Sequence, residues 1–220
     1  MARYVDKVTA FITRGEPGEK ELLLLAHPFA GNQIPAGTVE MGETAVAAVL
    51  REVAEETGLT RVSSPTLLAQ LAEDLPPDQR VVAAVTHAYA RPDVTSFDWV
   101  TLRRGITVNV RRQTAGFTQV EYIEHDQEPE PTFVTYHIVG WVPDEALATA
   151  RRRSYFQLTC HQPTPDRWTV VSDNHTFTLF WARLNELPPL IAPQDAWLEV
   201  LIAGGVLHEN LREVSEPPEG

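Results

Sequence analysis

The chemistry of this chain is concentrated in three glutamates, Glu52, Glu55 and Glu56. On a helix, residues spaced i, i+3 and i+4 lie on one side, so the three carboxylates gather. Alone they repel one another. A hard divalent cation reverses the sign, because Mg²⁺ takes carboxylate oxygens as ligands. Taken by itself, the run REVAEE would also serve as a solvated acidic face. Glu43 and Arg51 lie eight residues apart, about two helical turns, and could form an ion pair that fixes a loop onto the helix.

The element that must carry these groups is a helix over Thr44–Thr57. Thr44 is suited to the N-cap and Gly58 to the left-handed position that ends a helix. Each residue advances about 100°, so Val46, Leu50, Val53 and Thr57 share a face expected to pack on a sheet, with the glutamates turned away from it. Before the helix, Val5–Thr13, a turn at Gly15–Lys20 and Glu21–His27 read as a hairpin. Pro28–Gly37 reads as a loop. Strands are expected at Thr66–Ala72, Val81–Ala90, Ile106–Arg112, Phe133–Val142, Trp168–Ser172 and Thr176–Ala182. Helices are expected at Pro143–Arg153 and Pro193–Ala203, and an exposed loop at His125–Pro131. There is no regular strand–helix alternation. A mixed sheet with flanking helices therefore fits better than a doubly wound parallel sheet.

The chain has 220 residues and a net charge of −12. That balance is unsuited to wrapping a nucleic-acid duplex, whose affinity comes mainly from cations on phosphates. A small phosphorylated substrate is still compatible, since metal ions can bridge anion to anion. The one cysteine, Cys160, allows no internal disulfide. The N-terminal segment carries Arg3, Asp6 and Lys7 and no apolar run, and the longest aliphatic run is Leu22–Ala26. No membrane span and a cytoplasmic location are expected. The seven histidines show no zinc spacing. Cys160 and His161 are adjacent, so on a strand they point to opposite faces and do not form a nucleophile–base pair. Arg151, Arg152 and Arg153 are expected to complement a helix C-terminus. The five tryptophans read mostly as core.

The stretch GTVEMGETAVAAVLREVAEETGL, Gly37–Leu59, resembles the Nudix box at every fixed position: Gly37, Glu43, Arg51, Glu52, Val53, Glu55, Glu56, Gly58 and Leu59. The resemblance implies an α/β (α+β) Nudix-type α/β/α sandwich with a mixed central sheet. One domain is expected over 1–210, followed by an acidic, Pro-rich tail at 211–220. The region 97–165 reads as an insertion that shapes a pocket or a homodimer contact. The segment Trp181…Pro188-Pro189 and the helix after it look like the usual end of that fold. The resemblance further implies Mg²⁺, with Mn²⁺ as a substitute, held by Glu52, Glu55, Glu56 and the Gly37 carbonyl. Glu43 and Arg51 become the structural pair. The implied reaction is hydrolysis of a pyrophosphate bond in a nucleoside diphosphate linked to another group, such as ADP-ribose, a nucleotide sugar or a nucleoside triphosphate. The alternative is a nucleotide-binding sensor without catalysis. The general base stays open between a glutamate of the box itself and a carboxylate beyond it, among Glu121, Glu124, Asp126, Glu73 and Asp74. Leu75-Pro76-Pro77 stands where a tyrosine would mark dinucleoside polyphosphate members, and Pro76 lies near the proline of ADP-ribose members.

Overall fold

The structure is a computed structural model that describes residues 3–16, 18–114, 116–172 and 175–204. Among the described residues the fold is mixed α+β, mostly strands with two helices. The strands are β1 (Tyr4–Arg14), β2 (Glu21–His27), β3 (Gly31–Gln33), β4 (Ala36–Thr38), β5 (Thr66–Asp74), β6 (Gln79–Val82), β7 (Thr86–Tyr89), β8 (Asp98–Leu102), β9 (Thr107–Thr114), β10 (Phe117–His125), β11 (Val134–Pro143), β12 (Leu147–Ala148), β13 (Ala150–Thr159), β14 (Arg167–Ser172) and β15 (His175–Arg183). The helices are α1 (Ala45–Thr57) and α2 (Gln194–Ala203). None is long and apolar enough to cross a membrane. The acidic tail at 211–220 lies outside the described residues.

The chain divides into two compact units. One comprises 1–7, 38–43 and 71–153; the other comprises 8–37, 44–70 and 154–220. The first holds a seven-stranded sheet in the order β12-β6-β9-β10-β11-β7-β8. Its core gathers Val82, Ala88, Leu102, Val108, Val120, Val142, Ala146 and Leu147. Gly140 is required here, because a Cβ on it would lie 2.9 Å from that of Ala88 on the next strand.

The second unit holds both helices. β2 pairs antiparallel with β1 and with β15, and all four of Leu22, Leu23, Leu24 and Leu25 are buried. Alternate side chains of a strand point to opposite faces, so β2 is covered on both. Leu22 and Leu24 join Phe11, Ile34, Tyr155 and Leu201 in one cluster, with Trp197 and Leu198 of α2 against it. Each fully buried leucine contributes about 1.5–3 kcal/mol. α1 packs against β14. There the Trp168 indole N–H donates to the Thr57 carbonyl at 2.9 Å, which satisfies an orphan acceptor of the helix end.

Three expectations are corrected. The helix expected at Pro143–Arg153 is a single 3₁₀ turn, Asp144–Ala146, followed by β12 and β13. Helix propensity in LATARRR is a weak preference, and pairing of β13 between β1 and β5 overrides it. The arginines accordingly sit on a strand and use side-chain partners rather than a helix dipole. Arg152 bonds Asp6 at 2.6 Å and Arg151 approaches Glu73 at 3.4 Å. The single strand expected at Val81–Ala90 is two, β6 and β7. The loop expected at Pro28–Gly37 contains the short strands β3 and β4.

Candidate active site

Helix α1 is set by its ends. The Thr44 side chain accepts from the Ala47 amide at 3.1 Å, with extended backbone at φ −84 and ψ 154. Gly58 closes the helix at φ 71 and ψ 5, and its N–H donates to the Ala54 carbonyl at 3.0 Å. This left-handed conformation costs a side-chain-bearing residue about 1–2 kcal/mol. Both ends agree with the sequence expectation.

The buried face agrees in two of its four positions, Val53 and Thr57. Val46 and Leu50 are 46% and 39% exposed, whereas Ala48, Val49, Val53 and Thr57 are buried. The packed stripe is thus turned by a substantial fraction of a quadrant from the one expected. Alanine and threonine supply part of it, and larger aliphatic residues stay outside. The rotation brings Glu52 and Glu56 to the border of the packed face.

There they meet the backbone of the loop that ends at Gly37. Glu56 Oε2 accepts from the Ala36 amide at 3.0 Å. The Glu52 carboxylate lies so close to Gly37 that a Cβ there would be 1.9 Å from its carboxylate carbon. Glycine at 37 is therefore a packing requirement of a carboxylate on the loop. Glu55 stands apart, with 56% of its side chain exposed. Arg51 Nη1 donates to Glu52 Oε1 at 2.9 Å and to Glu55 Oε2 at 3.1 Å. In the other unit, Glu43 Oε2 accepts from the Glu40 amide at 3.0 Å, and the Glu43 amide donates back to the Glu40 carbonyl at 3.2 Å. Both bonds tighten the turn just before Thr44.

The three glutamates are therefore arranged as a pair at the loop and a more exposed third, Glu55, which shares the Arg51 donor with Glu52. Among the described residues, no group of three or more His, Cys, Asp or Glu side chains converges as a ready-made cation site. The donor chemistry still fits a hard divalent ion. Glu52 and Glu56 bring anionic oxygens to one short stretch of backbone, and a side chain at 37 would fill that cradle.

The five general-base candidates fall in the first unit. Glu121 is the buried one. Arg111 on β9 donates to its Oε1, and His137 Nε2 on β11 lies 2.8 Å from the same oxygen. Arg111 first and His137 second hold this carboxyl below the usual carboxylate range, which makes it a weaker base. The trio draws on three strands, and no local signal in the sequence announces it. Glu124 accepts from the Tyr122 hydroxyl at 3.1 Å. Asp126 closes the loop at 126–133, accepting from the amides of Thr132 at 2.9 Å and Phe133 at 3.1 Å. The Thr132 hydroxyl, ahead of these amides, brings its pKa down to about 2. Glu73 pairs with Arg151, and Asp74 ends β5 at the surface.

The profile of the NUDIX domain family matches residues 3–143. No curated protein matches. Among solved structures, the chain is similar to the NUDIX domain of Shewanella oneidensis NrtR complexed with ADP ribose: 12% identity, TM-score 0.45, 92% of this chain and 88% of that one covered. It is also similar to a C. elegans Ap4A hydrolase in a binary complex: 15% identity, TM-score 0.38, 96% and 98% covered.

Proposed function

Because this chain belongs to the Nudix family, we propose that it is a divalent-metal-dependent hydrolase that cleaves a pyrophosphate bond in a nucleoside diphosphate linked to another group. The observation that carries this reading is the convergence of Glu52 and Glu56 on the backbone at Ala36 and Gly37. In this reading Glu52, Glu55, Glu56 and the Gly37 carbonyl hold Mg²⁺ or Mn²⁺. When bound, the ion polarises phosphoryl oxygens and lowers the pKa of water. The protein's own residues position. Glu56 keeps the loop backbone on the helix through the Ala36 amide. Arg51 offsets the charge of Glu52 and Glu55 and limits their mutual repulsion. Glu43 sets the turn that delivers the chain into the N-cap. Little covalent work is asked of side chains in phosphoryl transfer, which suits a site made of carboxylates.

The test is hydrolysis of a panel of ADP-ribose, nucleotide sugars, nucleoside triphosphates and dinucleoside polyphosphates with Mg²⁺, read as phosphate after phosphatase coupling. Glu56→Gln is the informative variant. The amide keeps an oxygen for the Ala36 N–H but removes the charge. It is expected to lose at least about a hundredfold in kcat/KM, beyond the 10–100-fold typical of groups that only support a ligand, with the melting temperature little changed. Undiminished turnover in Glu56→Gln overturns the reading. Tight nucleotide binding with no turnover on any substrate favours a sensor. Mg²⁺ should also stabilise the fold, by about 2.7 kcal/mol at a hundred times its Kd.

A further inference from the structure

β2 ends at His27 and β15 begins at His175, and pairing of these strands brings together four rings nearly 150 residues apart in the chain. His27 lies 4.9 Å from His175, 5.1 Å from Phe177 and 6.2 Å from Phe29, centroid to centroid. Phe29 is 6.2 Å from His175. Phe177 is buried and forms the floor, whereas Phe29 is 52% exposed. Phe29 meets His27 at 65° and His175 at 75°, so both contacts are edge-on and neither histidine lies flat against it. A half-exposed phenyl ring in this setting is a surface on which a planar ring can stack.

We propose that Phe29, with His27 and His175, is a stacking platform for the base of a nucleoside ligand. The inference rests on the reading of the chain as acting on nucleoside derivatives and names the group that recognises the base. Three further observations support it. The Phe29 amide donates to His27 Nδ1 at 3.0 Å, so the neutral ring carries its proton on Nε2 as a donor, which complements the acceptor nitrogens of a base. Burial, and then the neighbouring His175, hold His27 below the ordinary histidine pKa, so the ring is uncharged at neutral pH. The segment after Phe29 is tied at several points. His27 pairs with Gly31 in β3. Asn32 Nδ2 donates to the Pro189 carbonyl at 3.1 Å, and the Ile34 amide donates to Gln194 Oε1 at 2.6 Å. The platform is therefore preorganised, and the same segment runs on to Ala36 and Gly37.

The test needs no metal and no turnover. AMP is titrated into protein with ¹⁵N-labelled histidines, with ribose 5-phosphate, which has no base, as the comparison. AMP is expected to shift the ring signals of His27 and His175, and ribose 5-phosphate to leave them in place. Stacking on an aromatic side chain is worth enough that Phe29→Ala should raise the Kd for AMP between about fivefold and a hundredfold. Phe29→Trp should retain binding, which separates loss of the ring from loss of the fold. Phe97, 66% exposed in the other unit, provides a control, and Phe97→Ala should bind as the parent does. Unmoved histidine signals at saturating AMP, or a Phe29→Ala protein that binds AMP normally, would overturn the platform. The two readings fail separately. Absent hydrolysis leaves the AMP shifts intact, whereas hydrolysis with an unchanged KM in Phe29→Ala sinks the platform and spares the hydrolase.

Discussion

Replacing Gly37 by alanine is a direct test of how the loop and α1 fit together. The new Cβ would fall 1.9 Å from both Cδ and Oε1 of Glu52 and 2.5 Å from Oε2. Those atoms are the far end of a flexible side chain, so Glu52 gives way and the backbone stays. Moving it breaks the bond from Arg51 at 2.9 Å, between side chains 25% and 14% exposed. A partly exposed ion pair of this kind is worth about 0–1 kcal/mol. Displacing the carboxylate from its rotamer adds about 0.5–1.5 kcal/mol. The sum is about 0.5–2.5 kcal/mol, a fall of roughly 1–10 °C in melting temperature for a chain of this size. Thermal or urea unfolding of the parent, Gly37→Ala, Glu52→Ala and the double variant measures it. With Glu52 shortened the clash disappears, so the double variant should cost less than the two single changes together. Additivity within about 0.5 kcal/mol would refute a clash between these two residues.

The helix ends and the acidic loop give three more expectations. Thr44→Ala removes the acceptor for the Ala47 amide and should cost about 1 kcal/mol, roughly 2–4 °C in melting temperature, with Thr44→Ser restoring it. Gly58→Ala should cost about 1–2 kcal/mol through backbone strain at φ 71 rather than a clash, since the nearest atom, on Val170, would be 3.8 Å away; Gly58→Asn should cost less in the same unfolding assay. Asp126, held at a pKa of about 2, lies below its unfolded value. Its contribution is present above the ordinary carboxylate pKa and is lost as pH falls towards 2. Protection of the Thr132 and Phe133 amides, taken relative to intrinsic exchange at each pH, should fall in that window and not between pH 5 and 7, and Asp126→Asn should abolish the dependence.

The sequence revealed α1 because its limits are chemical. Thr44 and Gly58 each do one thing that few residues do well. It placed the packed face half correctly: Val53 and Thr57 are buried as expected, but apolar spacing also drew in Val46 and Leu50, whereas Ala48 and Val49 complete the contact. Strand β10 escaped notice for a related reason. Its apolar side chains alternate with Gln119, Glu121 and Glu124, and Glu121 is buried only because Arg111 and His137 reach it from neighbouring strands. Local pattern cannot express partners supplied by strand pairing. The same limit hid the rings around His27, which depend on β2 lying beside β15. The box itself was fully legible, but its spacing did not show that one Arg51 nitrogen would be shared by Glu52 and Glu55 while Glu56 turns to the Ala36 amide.

The bond from the Ala36 amide to Glu56 makes one backbone proton a reporter on a side chain twenty residues further along. Its exchange with solvent requires the loop to lift from the helix, and any cation that draws on Glu56 alters the strength of that latch. Loop opening and ion occupancy are then thermodynamically linked, so each can be titrated by observing the other. The protection of a single amide, followed against Mg²⁺ concentration, would give a binding isotherm without substrate, product or dye.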